Sequence, residues 1–237
     1  DGCEFLLVFD EGQFSEDNTF LLSEWLAHTP PEILSKNFGL DKSVLAKLPT
    51  DELYIFPAAL PKSLEQDKAA VGGPRVQSPI QYTFRMGAMA PTIKAHGGEA
   101  RIVDSRNFPA ARNIAAGLLT IKPGGMRELH WHPNASEWQY YIAGKGRMTA
   151  FMPVGSARTV DVRANDVGYV PAVAGHYVEN TGDTDLVVLE IFKASQFMDI
   201  SLNNWLRRLP PEMVTSHLGL DAATIQSIPS EKITFAG

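Results

Sequence analysis

The segment GGMRELHWHPNASEWQYYIAGKG holds the residues whose types and spacing suit metal chemistry. His130 and His132 are two apart, so on a strand both imidazoles leave the same face. The polar loop Pro133-Asn134-Ala135-Ser136 then turns the chain, and a hairpin closed there sets Glu137 directly across from His132. A second segment, GYVPAVAGHYVENTGDTDLVVLEIF, supplies His176. A turn near Gly182-Asp183 follows it, and the same hairpin logic sets Glu190 opposite His176. Three imidazoles and one carboxylate make a nitrogen and oxygen donor set without sulfur. It suits Mn, Fe, Zn, Co, Ni or Cu, with open positions on a six-coordinate ion. A bare H-x-H pair is weak evidence for a metal. The whole pattern is specific: glycine, H-x-H, glutamate and glycine at 124, 130, 132, 137 and 144, then Pro171, Gly175 and His176.

These residues need strands to position them. From about residue 80 to 192 short β-branched and aromatic runs alternate with turn signals, among them IQYTFRM, EARIVDS, RELHWH, EWQYYIAGKG and LVVLEIF. That spacing predicts an all-β sandwich or barrel. Residues 197–229 return to helices. Before the barrel, residues 1–9 read as a strand, residues 23–48 as helical punctuation around Pro30-Pro31, and residues 56–84 as a proline- and glycine-rich linker.

The two ends of the chain repeat one another. Phe9, Gln13 and Phe14 match Phe192, Gln196 and Phe197 at an offset of 183. From the tryptophan onward Trp25, Pro30-Pro31-Glu32, Gly39-Leu40-Asp41 and Pro49 match Trp205, Pro210-Pro211-Glu212, Gly219-Leu220-Asp221 and Pro229 at an offset of 180. The first copy therefore carries three extra residues between Phe14 and Trp25. A period of this size marks a duplicated domain rather than a solenoid.

Composition narrows the function classes. With 21 Lys and Arg against 27 Asp and Glu, the net charge is −6, which gives no footprint for nucleic acid or an anionic membrane surface. A small anionic substrate is compatible, because one local arginine or metal outweighs the global charge. No apolar run approaches the roughly 20 residues that span a bilayer. Cys3 is the single cysteine, so an intrachain disulfide and a cysteine-cluster metal site are both excluded, and the compartment stays open.

The histidine segments resemble the two motifs of the cupin superfamily. The resemblance implies a double-stranded β-helix, a small all-β jelly-roll barrel with flanking helices and a metal inside it. Asn165 stands where the second motif usually begins with glycine, and asparagine is the next best residue at positive φ. A closer resemblance, to the bicupin oxalate decarboxylases, runs through MRELHWHPN, EWQYYIAGKGRM, DVGYVP, GHYVENTGD, VLEIFK and EFLLVFDEG, and covers essentially the whole chain. It implies that residues 1–22 are the last strand and lid of a first cupin domain otherwise missing or carried on a companion chain. Residues 23–79 are then a helical segment and linker, 80–196 a complete second barrel, and 197–237 its helical extension.

What the resemblance implies for chemistry is a Mn(II)-dependent carbon–carbon lyase that converts oxalate to formate and carbon dioxide, with dioxygen needed although not consumed overall. Metal ligands would be His130, His132, Glu137 and His176. Arg127 matches the family's substrate-polarising arginine, yet its parity differs from that of the histidines, so it reaches the pocket only through a bulge or an inward-curling side chain. Glu190 matches a proton-transferring carboxylate, with a structural supporting role as the alternative; burial would raise its pKa and a neighbouring cation would lower it. SEDNT, residues 15–19, matches the lid of the first site, with Glu16 as its proton donor, while Leu7 stands where the second copy has Glu190. Family members associate as trimers and hexamers through the helical endings, where Trp25 and Trp205 are candidates for packing. The alternatives are an oxalate oxidase, which shares the ligands but lacks a well-placed proton donor, and a non-catalytic storage bicupin, a class that has generally lost the complete ligand set.

Overall fold

The computed structural model of the chain describes residues 2–15, 21–50, 58–71 and 78–237. Glu16 and most of the SEDNT segment lie outside the described residues. The chain forms two compact units, Asp1–Gln77 and Ser78–Gly237.

In the first unit the strand expected over residues 1–9 is not formed. Residues 2–9 have no regular structure, and Phe5, Leu7 and Phe9 are exposed. A strand needs a pairing edge for its backbone groups, and none of the described residues supplies one. Four α-helices follow among the described residues: α1 (Leu22–Ala27), α2 (Pro31–Phe38), α3 (Lys42–Leu45) and α4 (Leu64–Ala70). Pro31 opens α2 at the position where its missing N–H is harmless, and Gly39 closes it in the left-handed region at φ 65°. The Asp41 carboxylate then caps α3 through the Ser43 N–H.

The second unit is the barrel. Its strands are β1 (Ile93–Ala95), β2 (Gly98–Val103), β3 (Ala115–Ile121), β4 (Met126–Trp131), β5 (Glu137–Ala143), β6 (Lys145–Met152), β7 (Ser156–Arg163), β8 (Val167–Val170), β9 (Gly175–Asn180), β10 (Leu186–Phe192), β11 (Ile200–Ser201) and β12 (Phe235–Ala236). Three helices, α5 (Leu202–Leu206), α6 (Pro211–Leu218) and α7 (Ala222–Ser227), lie between the last two strands. One antiparallel sheet has the order β1-β2-β3-β10-β5-β8; the other has β11-β4-β9-β6-β7, with β12 also paired to β4. The repeat is realised locally, because α6 opens on Pro211 and closes on Gly219 at φ 67°, and Asp221 caps α7. Buried Val214 and Ile225 correspond to buried Leu34 and Leu45.

This topology corrects both hairpins. Strands β4 and β5 belong to opposite sheets, as do β9 and β10, so the connections cross the barrel instead of pairing neighbours. Glu190 is flanked by Gly117 and Gln139 in its own sheet, and His176 pairs with His130. The alternation still decides which side chains point inward: Leu186, Val188, Glu190 and Phe192 of β10 are all buried. An apolar floor of Leu119, Ile121, Tyr141, Val178, Leu186, Val188 and Phe235 fills one end of the interior, and Ala115, Ala135 and Phe192 form a smaller cluster elsewhere. The polar site lies on the same inward faces.

Asp104, just past β2, fixes the segment that follows β10. Its buried carboxylate accepts the Phe197 N–H at 3.1 Å and the Arg106 backbone N–H at 2.9 Å, and pairs with the Arg106 guanidinium. Burial works against this charge, but the hydrogen bonds from Arg106 and Phe197 hold its pKa below the ordinary aspartate range. A depressed folded-state pKa contributes stability above the unfolded value and loses it as pH falls through the folded one. Asp104→Asn is therefore expected to cost about 1–3 kcal/mol at neutral pH, and the gap between variant and parent should close as pH falls below about 4, measured by urea unfolding across that range.

Candidate metal centre

The side chains of His130, His132, Glu137 and His176 are buried, and one ligand atom from each lies within 4.8 Å of the others. Strand β4 and the residue after it supply the first two histidines, β9 the third and β5 the glutamate. Each imidazole is oriented from behind. His130 Nδ1 donates to the Glu128 carbonyl at 2.7 Å, His132 Nδ1 to the Met198 carbonyl at 2.7 Å, and His176 Nδ1 to the Ala174 carbonyl at 3.0 Å. A carbonyl only accepts, so each Nδ1 carries the proton and each Nε2 of a neutral ring turns a lone pair inward. Phe192 and Phe197 pack against the His132 ring, with centroids 4.6 and 5.4 Å away.

These lone pairs create the chemical demand for a cation. His132 Nε2 and His176 Nε2 both lie 2.9 Å from Glu137 Oε2, and His130 Nε2 is buried without a hydrogen-bond partner among the described residues. Lone pairs facing a carboxylate repel unless a positive charge stands between them. A proton is a poor candidate at His130, because burial, then Arg127 and the other two histidines, push its pKa well below the ordinary imidazole value. Burial opposes the Glu137 charge, and only a positive charge at the facing imidazoles, whether a proton or a metal ion, outweighs it and holds the carboxyl well below its usual range. A divalent cation with borderline preferences fits this donor set. Its binding should stabilise the fold by about 2.7 kcal/mol at a hundredfold excess over Kd, and so raise the unfolding temperature. Calorimetry with and without a chelator measures this, and the gain should fade in acid as the imidazoles protonate.

Behind Glu137 lies a relay that the sequence reading missed. Gln139 Nε2 donates to Glu137 Oε1 at 2.6 Å, and Tyr141 Oη donates to Gln139 Oε1 at 2.5 Å. The signal was present, since residues 137, 139 and 141 alternate onto one face of β5. Close packing also limits Gln139, because a Cβ on Gly168 would stand 2.5 Å from its Oε1.

Arg127 enters the interior through a bulge. Arg127 is opposite Val178 and His130 opposite His176, so three steps on β4 match two on β9. The extra residue reverses the parity, and Arg127 and Glu128 are both buried, whereas Leu129 is exposed. The Arg127 guanidinium pairs with Asp199 through Nη2; its Nη1 lies 3.7 Å from Glu128 Oε1 and has no hydrogen-bond partner among the described residues. Both oxygens of buried Glu190 are likewise without one. Burial, then the charge of Glu137, push the Glu190 pKa well up, more than Arg127 pulls it down. Asp199, the guanidinium's partner, was not anticipated.

The Cupin family profile matches residues 84–226. Oxalate decarboxylase OxdC of Bacillus subtilis is 51% identical over 98% of this chain and 60% of its own length. A probable oxalate decarboxylase of Arthroderma benhamiae is 39% identical over 98% of this chain and 57% of its own. A solved structure of the Bacillus enzyme, studied for its Mn(II) centres, superposes with a TM-score of 0.87 at 49% identity, covering 95% of this chain and 59% of that one. The chain thus spans about 60% of the length of these relatives. The barrel, its inward-facing donor set and the matched profile together make this chain a member of the cupin family.

Proposed function

We propose that the chain carries the second metal site of a Mn(II)-dependent oxalate decarboxylase, which converts oxalate to formate and carbon dioxide. The observation that carries this reading is the pairing, inside one barrel, of a cation-demanding ligand set with a buried arginine edge and a buried carboxyl group, both unpartnered. Bound Mn(II) would supply Lewis acidity toward a substrate carboxylate oxygen, with dioxygen as co-catalyst. Arg127 binds and polarises a substrate carboxylate through Nη1. Glu190, whose pKa burial raises, carries a proton and delivers it to the carbon left when the carbon–carbon bond breaks. The apolar clusters around them exclude bulk water from that carbon.

Residues 1–22 are assigned in this proposal to a first cupin domain, with Glu16 as the acid of its lid, residues 23–79 to a helical segment and linker, residues 80–196 to the second barrel and residues 197–237 to its extension. Association into trimers or hexamers belongs to the same proposal; Trp205 is half exposed and meets Trp131 edge to face. Incubating the Mn-loaded protein with ¹³C-oxalate tests the reaction. Formate and carbon dioxide in equal amounts support it, and hydrogen peroxide with two carbon dioxides would identify an oxidase instead.

A further inference from the structure

The Arg127 guanidinium is held in a frame built by the C-terminal part of the chain. Its hydrogen-bonded partner is Asp199, from the segment between β10 and β11, and the other Asp199 oxygen is taken by Lys232 Nζ. The side chain of Asp199 is 6% exposed and that of Lys232 32% exposed. Glu128, the other carboxylate near Arg127, is committed elsewhere: Oε2 accepts from Ser201 Oγ at 2.8 Å and Oε1 from the Thr234 N–H at 3.0 Å. Three residues beyond Lys232, β12 begins to pair with β4, and it does so at Arg127 itself, opposite Phe235. The mechanism proposed above uses neither Asp199 nor Lys232.

A guanidinium is a planar fork, so fixing one terminal nitrogen fixes the direction of the other. With Nη2 tied to Asp199, Nη1 is left as a preoriented donor. Asp199 is also an anion in contact with the cation that must receive an anion. How strongly it holds Arg127 depends on how much of its charge Lys232 neutralises. We infer that Asp199 is a positioning residue that aims Arg127 at anionic substrate and competes with it, and that Lys232 tunes this competition from the C-terminal segment. The inference rests on the reading of Arg127 as the substrate-binding cation.

Two substitutions within one ion pair should therefore act in opposite directions. Asp199→Asn keeps an acceptor for Nη2 but removes the competing charge, and should tighten formate binding to the Mn-loaded protein about fivefold. Lys232→Met leaves Asp199 wholly to Arg127 and should weaken formate binding by about the same factor, the scale of one partly compensated charge contact. Water-proton relaxation gives the dissociation constants, and metal content and urea midpoints check that each variant is folded and loaded. Both effects should vanish in an Arg127→Gln background, because they act through the guanidinium. Shifts of the same sign in the two variants, or shifts that persist without Arg127, would overturn the inference. If Asp199→Asn does not fold, Lys232→Met, a change at a part-exposed side chain, decides the question alone with and without Arg127. If Arg127→Gln itself leaves formate affinity unchanged, the proposed role of Arg127 fails instead. A metal-free readout stands beside these: the Arg127 Nη ¹⁵N resonances should be distinct in the parent and averaged in Asp199→Ala, which removes the acceptor, and unchanged spectra would contradict the positioning role.

Discussion

Glu137→Gln, or alanine at any one of His130, His132 and His176, is expected to lower metal affinity by at least about 100-fold, more than the loss typical for partners that merely orient a ligand. Elemental analysis after dialysis against a chelator-buffered Mn(II) solution reads this directly, and activity at this site should fall with occupancy. The expectation follows from the arrangement of donors. Three Nε2 lone pairs are fixed by three Nδ1–H···O=C contacts, and a carboxylate oxygen 2.9 Å from two of these nitrogens completes the set. Removing one ligand leaves the others aimed at the same point with too little charge to hold the ion there. Glu137→Gln should have the most specific effect. It keeps the shape of the side chain and removes the only anionic ligand of the set.

Arg127→Gln is expected to lower kcat/KM for oxalate by about 10³-fold or more, comparable with the loss of an electrostatic donor aimed at developing charge. It should also destabilise the fold by about 1–3 kcal/mol, because buried Asp199 loses one of its two cationic partners and keeps Lys232. Steady-state kinetics and urea unfolding separate the two consequences. Arg127→Lys should recover part of the stability, since the charge remains, and little of the kcat/KM, since a lysine lacks the fork that keeps Nη1 free while Nη2 is held. Equal recovery of both would indicate that only charge matters at this position.

Much of this site could be read from the sequence because strand parity survives errors of topology. His130 and His132 share a face by spacing alone, and Glu137, Gln139 and Tyr141 share another. The hairpins drawn from the same sequence were wrong, since successive strands cross from one sheet to the other. The inward faces nevertheless meet in the interior, and Glu137 reaches His132 and His176 across the barrel rather than along a hairpin. Arg127 shows the opposite case. Its inward direction depends on a bulge created by the pairing of β4 with β9, and no local signal in MRELHWH marks where the extra residue falls. Asp199 and Lys232 were invisible for a similar reason, as Asp199 meets Arg127, and Lys232 meets Asp199, only once the C-terminal segment has returned to β4.

The helical endings were legible through punctuation. Gly39 and Gly219 take the left-handed conformation that ends a helix, and Asp41 and Asp221 cap the next one. Asn165 likewise adopts φ 72° in its turn, as its replacement of glycine in the motif suggests. Residues 2–9 failed as a strand although their β-branched and aromatic content suits one. Propensity alone does not supply the neighbouring edge on which a strand depends.

Anomalous diffraction at the manganese edge, from crystals grown with Mn(II), tests whether His130, His132, Glu137 and His176 hold one metal ion. One strong peak is expected within coordinating distance of three Nε2 atoms and a Glu137 carboxylate oxygen, and it should be lost in Glu137→Gln. A Mn-loaded crystal with no peak there, or with the ion bound elsewhere in the barrel, would contradict that assignment.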